Sequence, residues 1–459
     1  MLLALTAFVA LLAISGPVLN AFYRIGYVFI DHETFPGFAR LLFYGLMLPN
    51  ALAGAGCLAW VLARDGLPLG GRVLLGVCAV LGLFILLINL VSGRITKNEA
   101  FKARLPVWRF RFTLPPLVLD VGTGDYAVIF AASRRCQGFV TYTMDGAEQT
   151  AYSLDAGVRR AGKLHCVLIP RDALENNRYQ IHARRVLEQI SYGGRLGKTI
   201  HGDVVSFRGD RTLENPAVLA LSDWHFRGDK EMARAVRLFR TAPDLLLLLG
   251  DGADYSVNEA GMIRHLLLPP ARLSGGEIPA IFVRGNHEVR ANYDIGDLVR
   301  KIGLPSYYYQ VERGRFLFTV ADSAESPDGK DDWEHKDCYD MGTYLDRELM
   351  WLEALPPRLE KYNIVLCHDR DFCTETDGRR SRYFAAMARL GVRLGVSGHS
   401  HSLKWSETAA AYPNLEDGGR FARKEPKSIL DIFTRCVYGY RAAMLHFDGD
   451  TVRMESQEV

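Results

Sequence analysis

Hydrophobic and polar positions change rhythm twice along the 459 residues, and each change marks a different kind of structure. Residues 1–23, 41–63 and 73–93 contain no charged side chain, and each run is long enough to cross the roughly 30 Å core of a bilayer as a helix. They predict three transmembrane helices in a membrane region spanning residues 1–104. The first run lacks the basic start of a signal peptide, so it reads as a span. Over residues 105–212 short stretches alternate with β-type period between Gly, Asp and Asn turns, as in Trp108 to Phe112, Ala127 to Phe130, Phe139 to Thr143, His165 to Ile169, Tyr179 to Ala183 and Val204 to Phe207. They predict a small all-β sandwich. Over residues 213–459 the apolar runs become short and continuous: Val218 to Leu221, Leu245 to Leu249, Ile278 to Val283, Asn363 to Leu366 and Val392 to Val396. With helix-like stretches at Asp229 to Arg240 and Asp346 to Leu355, this is the pattern of an α/β domain with buried strands. Ala442 to Phe447 and Thr451 to Met454 flank the turn Asp448-Gly449-Asp450 and predict a closing hairpin.

Composition adds exclusions. Half-apolar content with 23% charge suits globular domains beside a membrane region and rules out a mainly disordered chain. The net charge of +3, with no basic run interleaved with aromatics, leaves nucleic acid outside the expected partners. Eight cysteines without CxxC spacing read as reduced thiols of a reducing compartment. Three spans would put Arg24, Arg40, Arg94, Lys97, Lys102 and Arg104 on one face and Arg64 and Arg72 on the other, so the bias of basic residues places the C-terminal domains in the cytoplasm.

The candidate chemistry sits in five polar motifs, each just after an apolar run: Asp223-Trp224-His225, Gly250-Asp251-Gly252-Ala253-Asp254, Gly285-Asn286-His287-Glu288, Cys367-His368 and Gly398-His399-Ser400-His401. Asp, Asn and His are oxygen and nitrogen donors suited to divalent metals. In an α/β sheet the loops at the carboxyl ends of strands converge on one crevice. Taken singly, an Asp after a strand is most often a turn or cap and a lone His a structural residue. Five such clusters in order point instead to a shared metal site, and glycines at 250, 285 and 398 let the backbone turn sharply toward it.

The order D-x-H, G-D-x-x-D, G-N-H-E, H and G-H-x-H over residues 217–405 resembles that of the calcineurin-like metallophosphoesterases. The resemblance implies an α/β fold in which a β-sandwich is flanked by helices, with two divalent metal ions (Mn, Fe or Zn). It assigns Asp223, His225 and His401 to one ion, Asn286, His368 and His399 to the other, and Asp251 as the bridge. It further implies that a hydroxide shared by the metals attacks a phosphomonoester or phosphodiester. His287, not itself a ligand, would then stabilise the transition state and help protonate the leaving oxygen. Glu288 and Asp254 would orient the neighbouring His and Asn.

Asp254 stands where purple acid phosphatases carry a metal-bound Tyr, so tyrosinate-iron chemistry is not expected. The β-rich stretch nonetheless resembles the sandwich preceding the catalytic domain in those enzymes. Its Tyr179 resembles the corner Tyr of fibronectin type III-like domains, which bonds back to the preceding turn. The membrane helices favour a lipid-linked substrate. A catalytically silent membrane receptor or scaffold, binding partners through the β-sandwich, is the alternative, and the intact ligand set with His287 argues against it. His265, His335 and His446 read as structural, and Asp322 to Tyr344 as either a loop over the site or a solvated surface loop. Arg370, Arg379 and Arg380 read as either phosphate ligands or surface salt bridges.

Overall fold

The structure, a computed structural model, describes residues 69–70, 110–190, 193–209, 213–225, 233–234, 236–253, 258–288, 295–323, 341–369, 379–399, 404–406, 428–431, 435–436 and 439–458. The runs expected to cross a membrane, 1–23, 41–63 and 73–93, lie outside these residues, as do 229–232 and 235 of the expected helix over 229–240, in which 233–234 and 236–237 are helical. Among the described residues no helix is long and apolar enough to cross a membrane. The chain divides into two compact units, one of Met1–Val107 with Leu187–Arg195, the other of Trp108–Val186 with Leu196–Val459. Of the first, residues 69–70, 187–190 and 193–195 are described.

The N-terminal strands are β1 (Phe112–Asp120), β2 (Asp125–Met144), β3 (Ala147–Tyr152), the short pair β4 (Leu154–Asp155) and β5 (Val158–Arg159), β6 (Ala161–Pro170), β7 (Arg178–Ile190) and β8 (Gly193–Ser206), all in the second unit except Leu187–Ile190 of β7 and Gly193–Arg195 of β8. The later strands are β9 (Ala217–Leu221), β10 (Leu245–Leu248), β11 (Pro279–Phe282), β12 (Tyr309–Arg313), β13 (Phe316–Val320), β14 (Tyr362–Leu366), β15 (Val392–Ser397), β16 (Lys404–Ser406), β17 (Ser428–Asp431), β18 (Arg435–Cys436), β19 (Gly439–Asp448) and β20 (Thr451–Glu458). Three helices matter below: α1 (Ile295–Ile302), α2 (Met341–Ala354) and α3 (Arg379–Arg389).

Two sheets face each other. One runs β18-β19-β9-β10-β11-β1-β2-β7-β8, with β20 added to β19 and β3 and β6 to β2; the other runs β12-β13-β14-β15-β17-β16. Between them lies the main core, where Leu219, Leu247 and Ile281 of the first sheet join Phe316, Ile364 and Val396 of the second. The alternate residues Val365, Cys367 and Val392 turn outward onto Leu345, Leu349 and Leu352 of α2 and Tyr383, Phe384 and Met387 of α3. The closing hairpin is present as β19 and β20 around Gly449, and β19 adds antiparallel to β9.

Residues 105–212 do not close as a separate sandwich beside the α/β region, as the alternation suggested. Strand β1 pairs in parallel with β11, Val118 opposite Pro279 and Leu119 opposite Ala280, so both stretches share one sheet. The reason is that β1 and β2 are apolar on both faces. Along β2, Ala127, Ile129 and Ala131 enter the main core, while Tyr126, Val128 and Phe130 enter a second core with Val167, Ile181 and Phe207. A strand buried on both sides needs cover on both sides, and the α/β region supplies one of them. Strand β2 serves both cores by alternation, then shifts register against β6 between Ala131 and Cys136 and pairs beyond it with β3 and β7.

The seam is also polar. The Tyr179 hydroxyl, expected to bond back to its own turn, donates instead to Gly276 O at 2.8 Å, and Arg208 N donates to Glu277 O at 2.7 Å. Buried Asp120, at the end of β1, accepts from Arg313 Nη1 at 2.9 Å and also from Arg171.

Candidate active site

The described residues of all five motifs lie at the carboxyl ends of parallel strands. Asp223 follows β9, Asp251 follows β10 and Asn286 follows β11 in the first sheet, while His368 follows β14 and His399 follows β15 in the second. Backbone hydrogen bonds continue past the strand ends and align the loops: Asp223 N donates to Gly250 O at 3.0 Å, His225 N to Asp251 O at 3.1 Å and Gly398 N to His368 O at 2.8 Å. Trp224, between two proposed ligands, is fully buried and its Nε1 donates to His265 O at 2.9 Å, which pins the first loop.

The glycines matter for space. A Cβ on Gly285 would lie 2.2 Å from Asp251 Oδ1, and one on Gly398 would lie 1.8 Å from Ser222 Oγ. Gly250 combines a φ of +88° with a Cβ position 2.5 Å from Gly285 N. Non-glycine residues in the left-handed region cluster here as well. Asp223, His225, Asp251 and His399 have φ of 54°, 41°, 54° and 64°, a conformation that costs about 1–3 kcal/mol apiece and persists where surrounding contacts enforce it.

Those contacts are visible. Asp223 Oδ2 accepts from Ser222 Oγ at 2.5 Å and from His399 N at 3.0 Å, which joins the two sheets at this point. Asp251 Oδ1 accepts from His287 N at 2.9 Å. Glu288 is buried, and its carboxylate accepts from Gly285 N at 2.6 Å, Asp251 N at 3.0 Å and Gly252 N at 2.9 Å. It therefore clamps the backbone of the Asp251 loop rather than orienting a His or Asn side chain. Burial, then the Asp251 charge, pushes Glu288 up to about 7, against the pull of those amide donors.

The donors gather into two groups. Ligand atoms of His225, Asp251 and His287 lie within 4.8 Å of one another, as do those of Asp251, His368 and His399. Asp251 belongs to both. Its Oδ2 is 3.2 Å from His368 Nε2 and 3.7 Å from His287 Nε2. Asn286 Oδ1 completes the second group, 3.1 Å from His368 Nε2 and 3.3 Å from His399 Nδ1. His401 and Asp254 lie outside the described residues, as do His335, Arg370 and the stretch 324–340.

The donor set fits divalent cations. His368 Nδ1 sits 2.7 Å from Leu249 O, and a carbonyl only accepts, so Nδ1 carries the proton and Nε2 is left to face two oxygens, Asp251 Oδ2 and Asn286 Oδ1. Such a place demands positive charge. Burial alone would lower the pKa of His368, yet the Asp251 charge outweighs it and pushes the imidazole up to about 10. Burial likewise opposes ionisation of Asp251, but His368 and His287 hold its carboxyl well below the usual range.

Several residues of this site lie outside the five motifs. Ser222, Arg284, Asp322, Ser323 and Asp369 brace the loops; Asp322 and Ser323 open the stretch read as a loop over the site or on the surface, and for Arg284 the local sign is a charge between an apolar strand and a glycine. Arg379 makes a salt bridge with Asp346 of α2, Nε to Oδ1 at 2.8 Å, and His446 pairs with Glu455 at 3.1 Å.

Residues 216–403 match the family model of the calcineurin-like phosphoesterases. No curated protein matches the chain. Among solved structures the chain is similar to a purple acid phosphatase from yellow lupin (Lupinus luteus) seeds, at 13% identity over 75% of this chain and 71% of that one, with a TM-score of 0.48. It is similar to GAP50, the anchor in the inner membrane complex of Plasmodium, at 12% identity over 53% and 89% of the two chains, TM-score 0.33. It is also similar to a metallophosphoesterase from Sphaerobacter thermophilus, at 15% identity over 53% and 88%, TM-score 0.27. Residues 216–403 are thus a calcineurin-like phosphoesterase domain, and the chain is a metal-dependent phosphoester hydrolase.

Proposed function

We propose that the protein is a membrane-anchored phosphoesterase with two divalent ions, acting on a phosphomonoester or phosphodiester of a lipid-linked substrate. The observation that carries the dinuclear reading is that Asp251 belongs to both donor groups, since two neighbouring cations need a shared anion. Asp223, His225 and His401 would hold one ion and Asn286, His368 and His399 the other, with Asp251 between them. Cations bound there supply Lewis-acid polarisation of the phosphoryl oxygens and activation of water.

The protein's own groups do the rest. His287 takes its place from its backbone N–H on Asp251 Oδ1, and its ring stands edge-on to His225 at 4.8 Å between centroids. With a side chain 21% exposed, it reaches the opening of the site, where it donates a proton to the leaving oxygen. Glu288 keeps the Asp251 backbone from relaxing out of its strained conformation. The uncharged runs 1–23, 41–63 and 73–93 support the anchor, and the distribution of basic residues supports a cytoplasmic catalytic face. A lipid-linked substrate follows from placing this chemistry at a bilayer.

Metal analysis of the purified full chain, with a panel of aryl phosphates, phosphodiesters and phospholipid or lipid-pyrophosphate substrates, tests the reading. We expect two equivalents of Mn, Fe or Zn and turnover of at least one lipid phosphoester. Turnover of soluble phosphates alone would remove the lipid assignment, and a metal-loaded protein inactive on the whole panel would remove the hydrolase reading.

A further inference from the structure

Strand β13 supplies no proposed ligand, yet two residues at its end reach both ligand-bearing loops. Arg284, buried just before Gly285, donates from Nε to Asp322 Oδ2 at 2.8 Å and from Nη2 to Asp322 Oδ1 at 2.6 Å. Its remaining terminal nitrogen, Nη1, donates to Gly285 O at 3.3 Å. Gly285, just before Asn286, is therefore gripped on both sides, its carbonyl by Arg284 and its N–H by Glu288. The next residue, Ser323, turns the other way, and its Oγ accepts from Asp369 N at 2.8 Å, beside His368.

Asp322 is itself held from the outer layer. Tyr344 of α2 donates from its hydroxyl to Asp322 Oδ2 at 2.7 Å, and Asp322 N donates to Glu348 Oε1 at 2.7 Å. Tyr383 of α3 then donates to Glu348 Oε2 at 3.0 Å. Burial holds the Glu348 carboxyl well above its ordinary range, and Asp322 faces the Arg284 guanidinium at 2.6 Å. The Arg284 guanidinium lies 5.4 Å from the Tyr307 ring centroid, which covers its remaining side.

Such a pair is a poor investment in stability. Burying both charges costs about as much as their attraction returns, and an apolar pair of equal volume does as well. What a guanidinium fork adds is direction, because two parallel hydrogen bonds fix an angle that a point donor such as Lys leaves free. Direction matters where ligands must be held to a fraction of an ångström.

We propose that Asp322 and Ser323 are positioning residues that set the separation of the two ligand loops, Asp322 through Arg284 on the Asn286-His287 side and Ser323 through Asp369 on the His368 side. This rests on the reading of the site as a metal centre. The Asp120–Arg313 pair is the natural comparison, because it is equally buried and lies on the seam, where its partners are Arg171 and Tyr126 and not a ligand loop.

The test uses the full chain, with Mn2+ binding followed by calorimetry and hydrolysis of an aryl phosphate followed separately. Asp322→Asn and Arg284→Lys are expected to weaken Mn2+ binding about 10- to 100-fold and to lower kcat similarly, with KM within about twofold. Ser323→Ala should show the same signature about two- to fivefold. Asp120→Asn should lower the melting temperature and leave Mn2+ affinity and kcat within about twofold. Folded Asp322→Asn and Arg284→Lys proteins with native Mn2+ affinity, or losses matched by Asp120→Asn, would overturn the proposal. If Asp322→Asn fails to fold, Arg284→Lys and Ser323→Ala decide on the same criterion. A wild-type chain that binds Mn2+ but hydrolyses nothing refutes the hydrolase reading, and the affinities still judge the positioning one.

Discussion

Two regions of the molecule put non-glycine residues in the left-handed region of backbone space, to opposite ends. Among the N-terminal strands, Asp145, Ala156 and Asn176 do so at φ of 52°, 48° and 53°, all at exposed turns. At the strand ends, Asp223, His225, Asp251 and His399 do so at similar angles, the first three buried and each tied by hydrogen bonds to another loop. In a turn the torsion serves the chain reversal and any residue that tolerates it will do. In the ligand loops it aims a particular side chain, and the cost is borne because cross-loop bonds leave no alternative.

The sharpest way to break that contrast is Asp251→Gly. Glycine relieves the torsion, so if strain were the purpose the variant would gain stability and keep function. We expect metal loss and a fall in hydrolysis of at least about 10³-fold. Next in size is His287→Ala, which removes a ring packed against strained Asp251 and His225 and leaves all four strained residues in place. A loss of about 10²- to 10⁴-fold is expected, larger for an alkyl than for a nitrophenyl leaving group. Equal losses on the two substrates would show that His287 is not the proton donor.

Acid stability probes the N-terminal strands, where His165 is buried with its Nε2 3.1 Å from Cys136 Sγ. Burial, reinforced by Arg160, pushes His165 down to about 3 from an ordinary 6.5. Between those values the unfolded chain binds a proton that the folded chain does not, so this contribution is full above the higher value and is lost as pH falls toward the lower. Thermal melts across that window should flatten in His165→Gln, and an unchanged slope would place the acid sensitivity elsewhere. The smallest effect is expected for Ala156→Gly, a gain of up to about 1 kcal/mol in thermal or chemical denaturation with hydrolysis unchanged.

How far the sequence carried the reader depends on how local each feature is. The motif residues that are described stand at strand ends because each motif is a short run that holds its own glycine or follows its own strand, as Gly285-Asn286-His287-Glu288 does. The terminal hairpin was legible for the same reason. The partner of β1 was not, since the pairing of Val118 with Pro279 joins positions distant in the chain. A trace of it was nonetheless present, because the unbroken apolar run Ala127 to Phe130 is poorly suited to a strand with one wet face. Tyr179 misled for a related reason: its spacing suits a local corner, and its acceptor belongs to a loop nearly a hundred residues later. Arg284 and Asp322 carry no sign in sequence that they pair, and their meeting, 38 residues apart, becomes visible in three dimensions.

The β1–β11 ladder has a consequence for where this protein can be cut. A fragment beginning at residue 213 would contain every motif of the site, yet it would leave β11 with a bare row of backbone groups and strip Leu117, Leu119, Ile129 and Ala131 from the core. An open, flat, apolar edge of that kind pairs with whatever strand comes next, including another copy of itself. The phosphoesterase domain is thus not a detachable cassette in this chain. It is finished by the strands that precede it, and any shortened version meant to stay in solution must begin before β1.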